Sequence, residues 1–177
     1  LKVRAPSRVT NMMVSDLGAT AVGMPVPAVA EALSKGVIDA AILPWEVTTA
    51  VKSSELVGHH TEFPGAPLYT ATMVMAMNKQ SYARLPDDLK AVIDANSGAD
   101  FSAYAGAQAE EANAPGRAIA VERGNAIVSL TPAQIAGWQE AAAPTVEAWV
   151  AEMEARGLNG AALLEAARAA IARHTPN

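Results

Sequence analysis

The feature that most restricts the fold is the regular exchange of short apolar runs with helix-period stretches in the first third of the chain. "LKVRAP" alternates apolar and basic residues as a half-buried strand does. In "SRVTNMMVSDLG", Val9, Met12, Met13 and Leu17 recur at helical spacing, Ser7 is placed to cap the start, and Gly18 to end it. A short "TAVGM" leads to "PVPAVAEALSKG", with Val29 and Leu33 on one face and Gly36 as its stop. "VIDAAIL" reads as a buried strand, and "PWEVTTAVKSSEL" as another helix or helical turn with Pro44 near its entry. Strand and helix in strict alternation imply parallel strands joined by helical crossovers, which makes the chain an α/β protein.

Beyond this the pattern changes. In "LYTATMVMAMN", Met73, Met75 and Met77 face one way and Val74 and Ala76 the other, so both faces are apolar and the run is expected to be a central strand covered on both sides. Residues 85–124 read as one long helical region opened by Pro86, Asp87 and Asp88, packed through Leu89, Val92 and Ile93, with a kink or break expected at Pro115-Gly116. After a short strand, "NAIVSL", Thr131, Pro132 and Gln134 have the spacing of a capping box. Two Ala-rich helices separated by "RGLNG" follow.

Composition narrows the function. A chain of 177 residues with 51% apolar content has material for a sizeable core, which argues against disorder. A net charge of -5, with its 13 Lys and Arg scattered, argues against a nucleic-acid surface. The absence of cysteine removes thiol, disulfide and zinc-thiolate chemistry, and no apolar run reaches the roughly 18–20 residues that span a bilayer. His59 and His60 invite a metal reading, yet in an extended "HHTEF" neighbouring side chains point to opposite faces and cannot chelate one ion, so both read as surface histidines and no metal or cofactor is expected. No nucleophile elbow, phosphate loop or His-Glu-x-x-His is present. Acids and serines distant in sequence can still assemble in space, so an enzyme acting on a small carboxylate on a similar α/β scaffold stays open as the alternative. A helical protein-interaction module over residues 86–173 is the third reading.

Three stretches together resemble the solute-binding receptors of TRAP transporters, the DctP-like periplasmic carriers of organic acids: "LKVRAPS", "LGATAVGMPVPAVAEALSKGVIDAAILPWEV" and "MNKQSYARLPDDLKAVID". The resemblance runs over nearly the whole chain. Its most specific parts are the strand ending in Arg-x-Pro, the "EALSKGVIDA" helix-to-strand step, where relatives have Gly at the position of Ala40, and the Asn-Lys followed by Leu-Pro-Asp-Asp-Leu. It implies a periplasmic-binding-protein-like clamshell, type II-like, of which this chain resembles the C-terminal portion: the second lobe plus a long hinge-spanning helix and C-terminal helices. The expected divisions are residues 1–68 as the α/β ligand-binding lobe, 69–130 as a crossover strand, long connecting helix and return strand shared with the first lobe, and 131–177 as helices packing on the lobes. The implied function is not catalytic. It is capture of an organic acid through its carboxylate in the periplasm and delivery to the small and large membrane subunits of a TRAP transporter.

The resemblance also implies ligand-binding residues. On the residues alone an arginine after a strand is a solvated surface charge; in the family the arginine at the position of Arg4 holds the ligand carboxylate, a task suited to a planar fork that donates two parallel charge-assisted bonds. Ser7 and Arg8 follow on the segment that lines the cleft in relatives, although Ser7 reads equally as a helix cap and Arg8 as a surface charge. Leu43, Pro44 and Trp45 fall at the strand-to-helix turn where relatives touch the ligand. Leu43 replaces an asparagine of sialic-acid-binding members, which disfavours a sugar acid, and Trp45 offers a flat apolar wall or else belongs to the core. Glu46 suits a helix first turn. Thr72 aligns with a cleft glutamine of some relatives, or is β-branched strand filler.

Overall fold

The computed structural model describes residues 1–65 and 67–174; Ala66 and the last three residues of the 131–177 helical segment lie outside the described residues. The chain divides into two compact units, one made of residues 1–42 with the chain from Ser129 onward, the other of Leu43–Val128.

In the first unit β1 (Lys2–Ala5), β2 (Thr20–Gly23) and β3 (Ala40–Ala41) form a parallel sheet in the order β2-β1-β3. Its register sets Arg4 beside Val22 on one side and Ala41 on the other. The crossovers are helical, as the alternation requires: α1 (Arg8–Asp16) joins β1 to β2, and a 3-10 turn over Val26–Ala28 runs into α2 (Val29–Ser34) before β3. Ser7 caps α1 through a reciprocal box in which its Oγ accepts the Thr10 N–H at 3.2 Å and Thr10 Oγ1 accepts the Ser7 N–H at 2.8 Å. Gly18, at φ +79°, turns the chain out of α1 through a left-handed conformation that costs a glycine little.

Two local expectations shift. The buried face of α1 is Thr10, Met13 and Val14, one position round from the Val9–Met12–Met13–Leu17 stripe. Thr10 can be inside because its hydroxyl also donates to Ser7 O at 2.9 Å, leaving no unmet polar group there. The strand expected over 37–43 contributes only Ala40–Ala41 to the ladder, with Ile38 buried just before it. Single backbone bonds continue the contact on either side, from the Asp39 N–H to Lys2 O at 2.8 Å and from the Ile42 N–H to Arg4 O at 2.9 Å, before the chain turns at Pro44 into the next helix.

In the second unit the stretch after Pro44 is two short helices, α3 (Trp45–Ala50) and α4 (Ser53–Leu56), parted at Lys52, whose φ is +52°. β4 (His59–Glu62) pairs with β5 (Ala126–Ser129) in a two-stranded sheet. Between them lie α5 (Lys79–Ala83), α6 (Asp87–Ala95) and α7 (Ala99–Glu122). The long helical region therefore breaks at residues 96–98, with Gly98 at φ +83°, and runs unbroken through Pro115. A proline within a helix forfeits one backbone bond and strains the preceding turn; here the compensation is packing, since Gly116 and Ala120 are the buried residues of α7, which lies on α3. Residues 70–78 form no strand. Every one of them is exposed, with Met73, Val74 and Met75 at 80%, 80% and 85%. The expected central strand fails because a strand exists only with ladder partners, and none of the described strands pairs with it.

The chain then returns to the first unit through α8 (Pro132–Ala155) and α9 (Gly160–His174). α8 opens on the expected capping box of Thr131 and Gln134 with Pro132 at its first position. It packs on α1, where buried Thr145 donates from Oγ1 to Asp16 Oδ2 at 2.5 Å.

Candidate functional site

Arg4 is the most deeply buried charged residue of the described core, at 3% exposure. Its Nε donates to Met24 O at 3.1 Å and its Nη1 to Ile42 O at 2.9 Å. Met24 follows β2 and Ile42 follows β3, so the carbonyls just past the carboxyl ends of the two flanking strands grip the guanidinium carried by the central one. This is the end of a parallel sheet at which α/β proteins place their ligands. Ser7 and Arg8 stand at the start of α1, both exposed. The Ser7 side chain is engaged in the cap, and Arg8 forms an ion pair with Glu152 of α8 at 2.6 Å, with its Nη1 3.7 Å from Met12 Sδ.

Leu43, Pro44, Trp45 and Thr72 belong to the second unit. The first three are consecutive and half-buried, and Pro44 is the N-cap residue of α3, which has no side-chain cap of its own. The missing cap comes from α7: Asn113 Oδ1 accepts the Glu46 N–H at 3.1 Å, which gives Glu46 the structural setting expected of it. Thr48 Oγ1 donates to Trp45 O at 2.7 Å. Gly116 of α7 comes so close that a Cβ on it would lie 2.1 Å from Trp45 O. The indole of Trp45 rests against the imidazole of His60, ring centres 4.9 Å apart and planes tilted by 39°. Thr72, by contrast, is exposed in the unladdered 70–78 segment.

His60 corrects the surface reading of the histidine pair. The two do face opposite sides of β4, His59 exposed and His60 half-buried, but His60 is packed on Trp45 and its Nε2 lies 3.1 Å from Asn125 Nδ2. That same amide nitrogen reaches Ser54 O at 2.9 Å and Val57 O at 3.0 Å. Burial holds the imidazole below its ordinary 6.5, with the Glu62 carboxylate pulling it up and His59 adding to the lowering. Glu62 is itself held by a two-pronged pair with Arg117 of α7, at 3.0 Å on each oxygen. Among the described residues no group of three or more His, Cys, Asp or Glu is placed to hold a metal ion, and no helix is long and apolar enough to cross a membrane. Asn113 and Asn125 are the residues that sequence reasoning passed over, while His60 and Gly116 were read only as a surface histidine and as part of an expected helix kink; nothing in their local pattern signals contact with a residue 15 to 71 positions away.

The family model of the bacterial extracellular solute-binding proteins, family 7 (DctP), matches residues 1–153. The chain belongs to the DctP family. Among solved structures, a TRAP solute-binding protein from Rhodoferax ferrireducens in complex with copurified benzoate is 46% identical, with a TM-score of 0.95 over 98% of this chain and 55% of that one. A TRAP solute-binding protein from a marine metagenome, described as specific for aromatic acid ligands and co-crystallised with 3-hydroxybenzoate, is 40% identical, with a TM-score of 0.94 over 99% of this chain and 55% of that one. A curated relative, the outer membrane transporter protein TsaT of Comamonas testosteroni, is 28% identical over 97% of this chain and 50% of its own length. The chain thus spans about half the length of the relatives it matches. The clamshell fold expected from the sequence is the fold of these relatives.

Proposed function

We propose that this chain is the carboxylate-receiving part of a TRAP-transporter receptor that captures an aromatic monocarboxylate in the periplasm and passes it to the small and large membrane subunits. The observation that carries this reading is Arg4, a buried guanidinium gripped by the Met24 and Ile42 carbonyls at the carboxyl end of a parallel sheet. Gripped in this way, the guanidinium has lost its rotamer freedom before a ligand arrives, and a charge-assisted pair with a carboxylate gains from that. Leu43 and Trp45 are apolar and suit the body of an aromatic acid, and the two DctP relatives at 46% and 40% identity hold benzoate and 3-hydroxybenzoate. Ser7, Arg8, Pro44 and Thr72 are the further candidate contacts. The work is differential affinity between open and closed states, with no bond made or broken.

Calorimetry with benzoate on the receptor carrying this chain tests the reading. Arg4→Ala is expected to weaken binding by about 2–5 kcal/mol, because a desolvated carboxylate loses its partner. Arg4→Lys is expected to recover only part, since an ammonium has no planar fork. Urea melts of both variants separate loss of binding from loss of fold, and unchanged affinity in a folded Arg4→Ala protein refutes the assignment.

We further infer that residues 69–78 become the crossover strand of the longer receptor, paired with chain from the rest of it. An alternating apolar run of this length exposed on both faces supports that reading.

A further inference from the structure

Trp45 is held both at its backbone and at its ring. Its backbone is set by α7 and by its own helix: Asn113 takes the Glu46 N–H, Thr48 takes the Trp45 carbonyl, and Gly116 closes against that carbonyl with no room for a Cβ. With the backbone fixed, the indole still has two torsions. The His60 imidazole lies beside the ring, with centres 4.9 Å apart and planes tilted by 39°. His60 Nε2 in turn accepts from the Asn125 amide, whose two N–H groups are shared among it and the Ser54 and Val57 carbonyls, so the imidazole is linked through that amide to α4 and the loop after it as well as carried by β4.

We propose that His60 is a positioning residue that presets the plane of the Trp45 indole and thereby gives the receptor its preference for flat aromatic carboxylates over aliphatic ones of the same size. The proposal rests on the reading of Trp45 as a ligand wall. A flat ring stacks productively only on an indole of defined tilt, and if the tilt is already fixed in the unliganded protein, binding need not immobilise the side chain. A puckered aliphatic ring meets the same indole through dispersion that depends little on its angle. Loss of the backing ring therefore penalises the aromatic ligand selectively, which general damage to the fold would not.

The test compares benzoate with cyclohexanecarboxylate, equal in charge and close in size, by calorimetry on the receptor and its His60→Ala, His60→Leu and His60→Phe variants. His60→Ala and His60→Leu are expected to raise the Kd for benzoate about threefold to tenfold and that for cyclohexanecarboxylate less than twofold, with His60→Phe restoring most of the difference. Equal weakening of both acids, or an unchanged ratio, overturns the role of His60 while leaving the receptor reading intact, because the parent protein still binds benzoate. A parent protein that binds neither acid removes the receptor reading and this inference with it. A ligand-free measurement closes the remaining gap: with Trp138 and Trp149 replaced by phenylalanine, time-resolved anisotropy is expected to show faster local motion of Trp45 in His60→Leu than in the parent, and identical motion overturns the proposal.

Discussion

Gly116→Ala is a severe perturbation at a position where the same change elsewhere in the helix should help. The new Cβ would lie 2.1 Å from Trp45 O and 2.9 Å from both Trp45 C and Thr48 Oγ1. Real Cβ atoms essentially never come under 3.0 Å, so α3 and α7 must part by about 0.9 Å, and the obstacle is backbone rather than the end of a flexible side chain. Overpacking of this kind costs about 1–3 kcal/mol. The Asn113 bond to the Glu46 N–H, 3.1 Å long, would stretch beyond bonding range as the helices separate, at a further cost of about 1 kcal/mol. Against this stands the gain of about 1 kcal/mol for replacing glycine by alanine inside a helix. The net expectation is a loss of about 1–3 kcal/mol by these terms. Gly106 supplies the control, since it lies in the same helix and a Cβ there meets nothing within 4 Å; Gly106→Ala should stabilise by up to about 1 kcal/mol. Urea denaturation of the two variants beside the parent reads both effects. If Gly116→Ala is as stable as Gly106→Ala, the close seating of α7 on Trp45 is wrong.

Two further outcomes follow from the geometry. His60 is held below its ordinary 6.5 chiefly by burial, so between that value and its lower folded value the unfolded chain binds the extra proton and the folded one does not; stability present above about pH 6.5 is therefore lost as pH falls through this window, and His60→Phe should flatten that part of a stability-against-pH curve, an unaltered slope refuting it. In the longer receptor the amides of residues 70–78 should exchange slowly with deuterium, as strand amides do, and exchange as fast as in an exposed loop would refute their pairing.

Much of the fold is determined by neighbours in the chain. The Ser7 and Thr131 caps, the stop at Gly18 and the alternation that makes the strands parallel all depend on residues within a turn or a crossover of one another, and each is visible in the sequence. Arg4 was marked by a motif, and the family it points to is the family of this chain. Other features belong to the tertiary structure alone. Pro115 looks like a helix breaker, yet the helix continues through it and breaks at Gly98, because the close packing of α7 on α3 at Gly116 outweighs a local propensity. The carbonyls that grip Arg4 lie 20 and 38 residues away, and carbonyl groups are the same in every sequence, so no residue type announces them. Asn113 and His60 became partners of the Trp45 turn only when α7 and β4 were brought beside it, and Asn125 reaches that turn only through His60. The 70–78 run shows the reverse case: its composition specifies a strand, but a strand's backbone groups need a second chain segment to bond, and pattern alone cannot supply one.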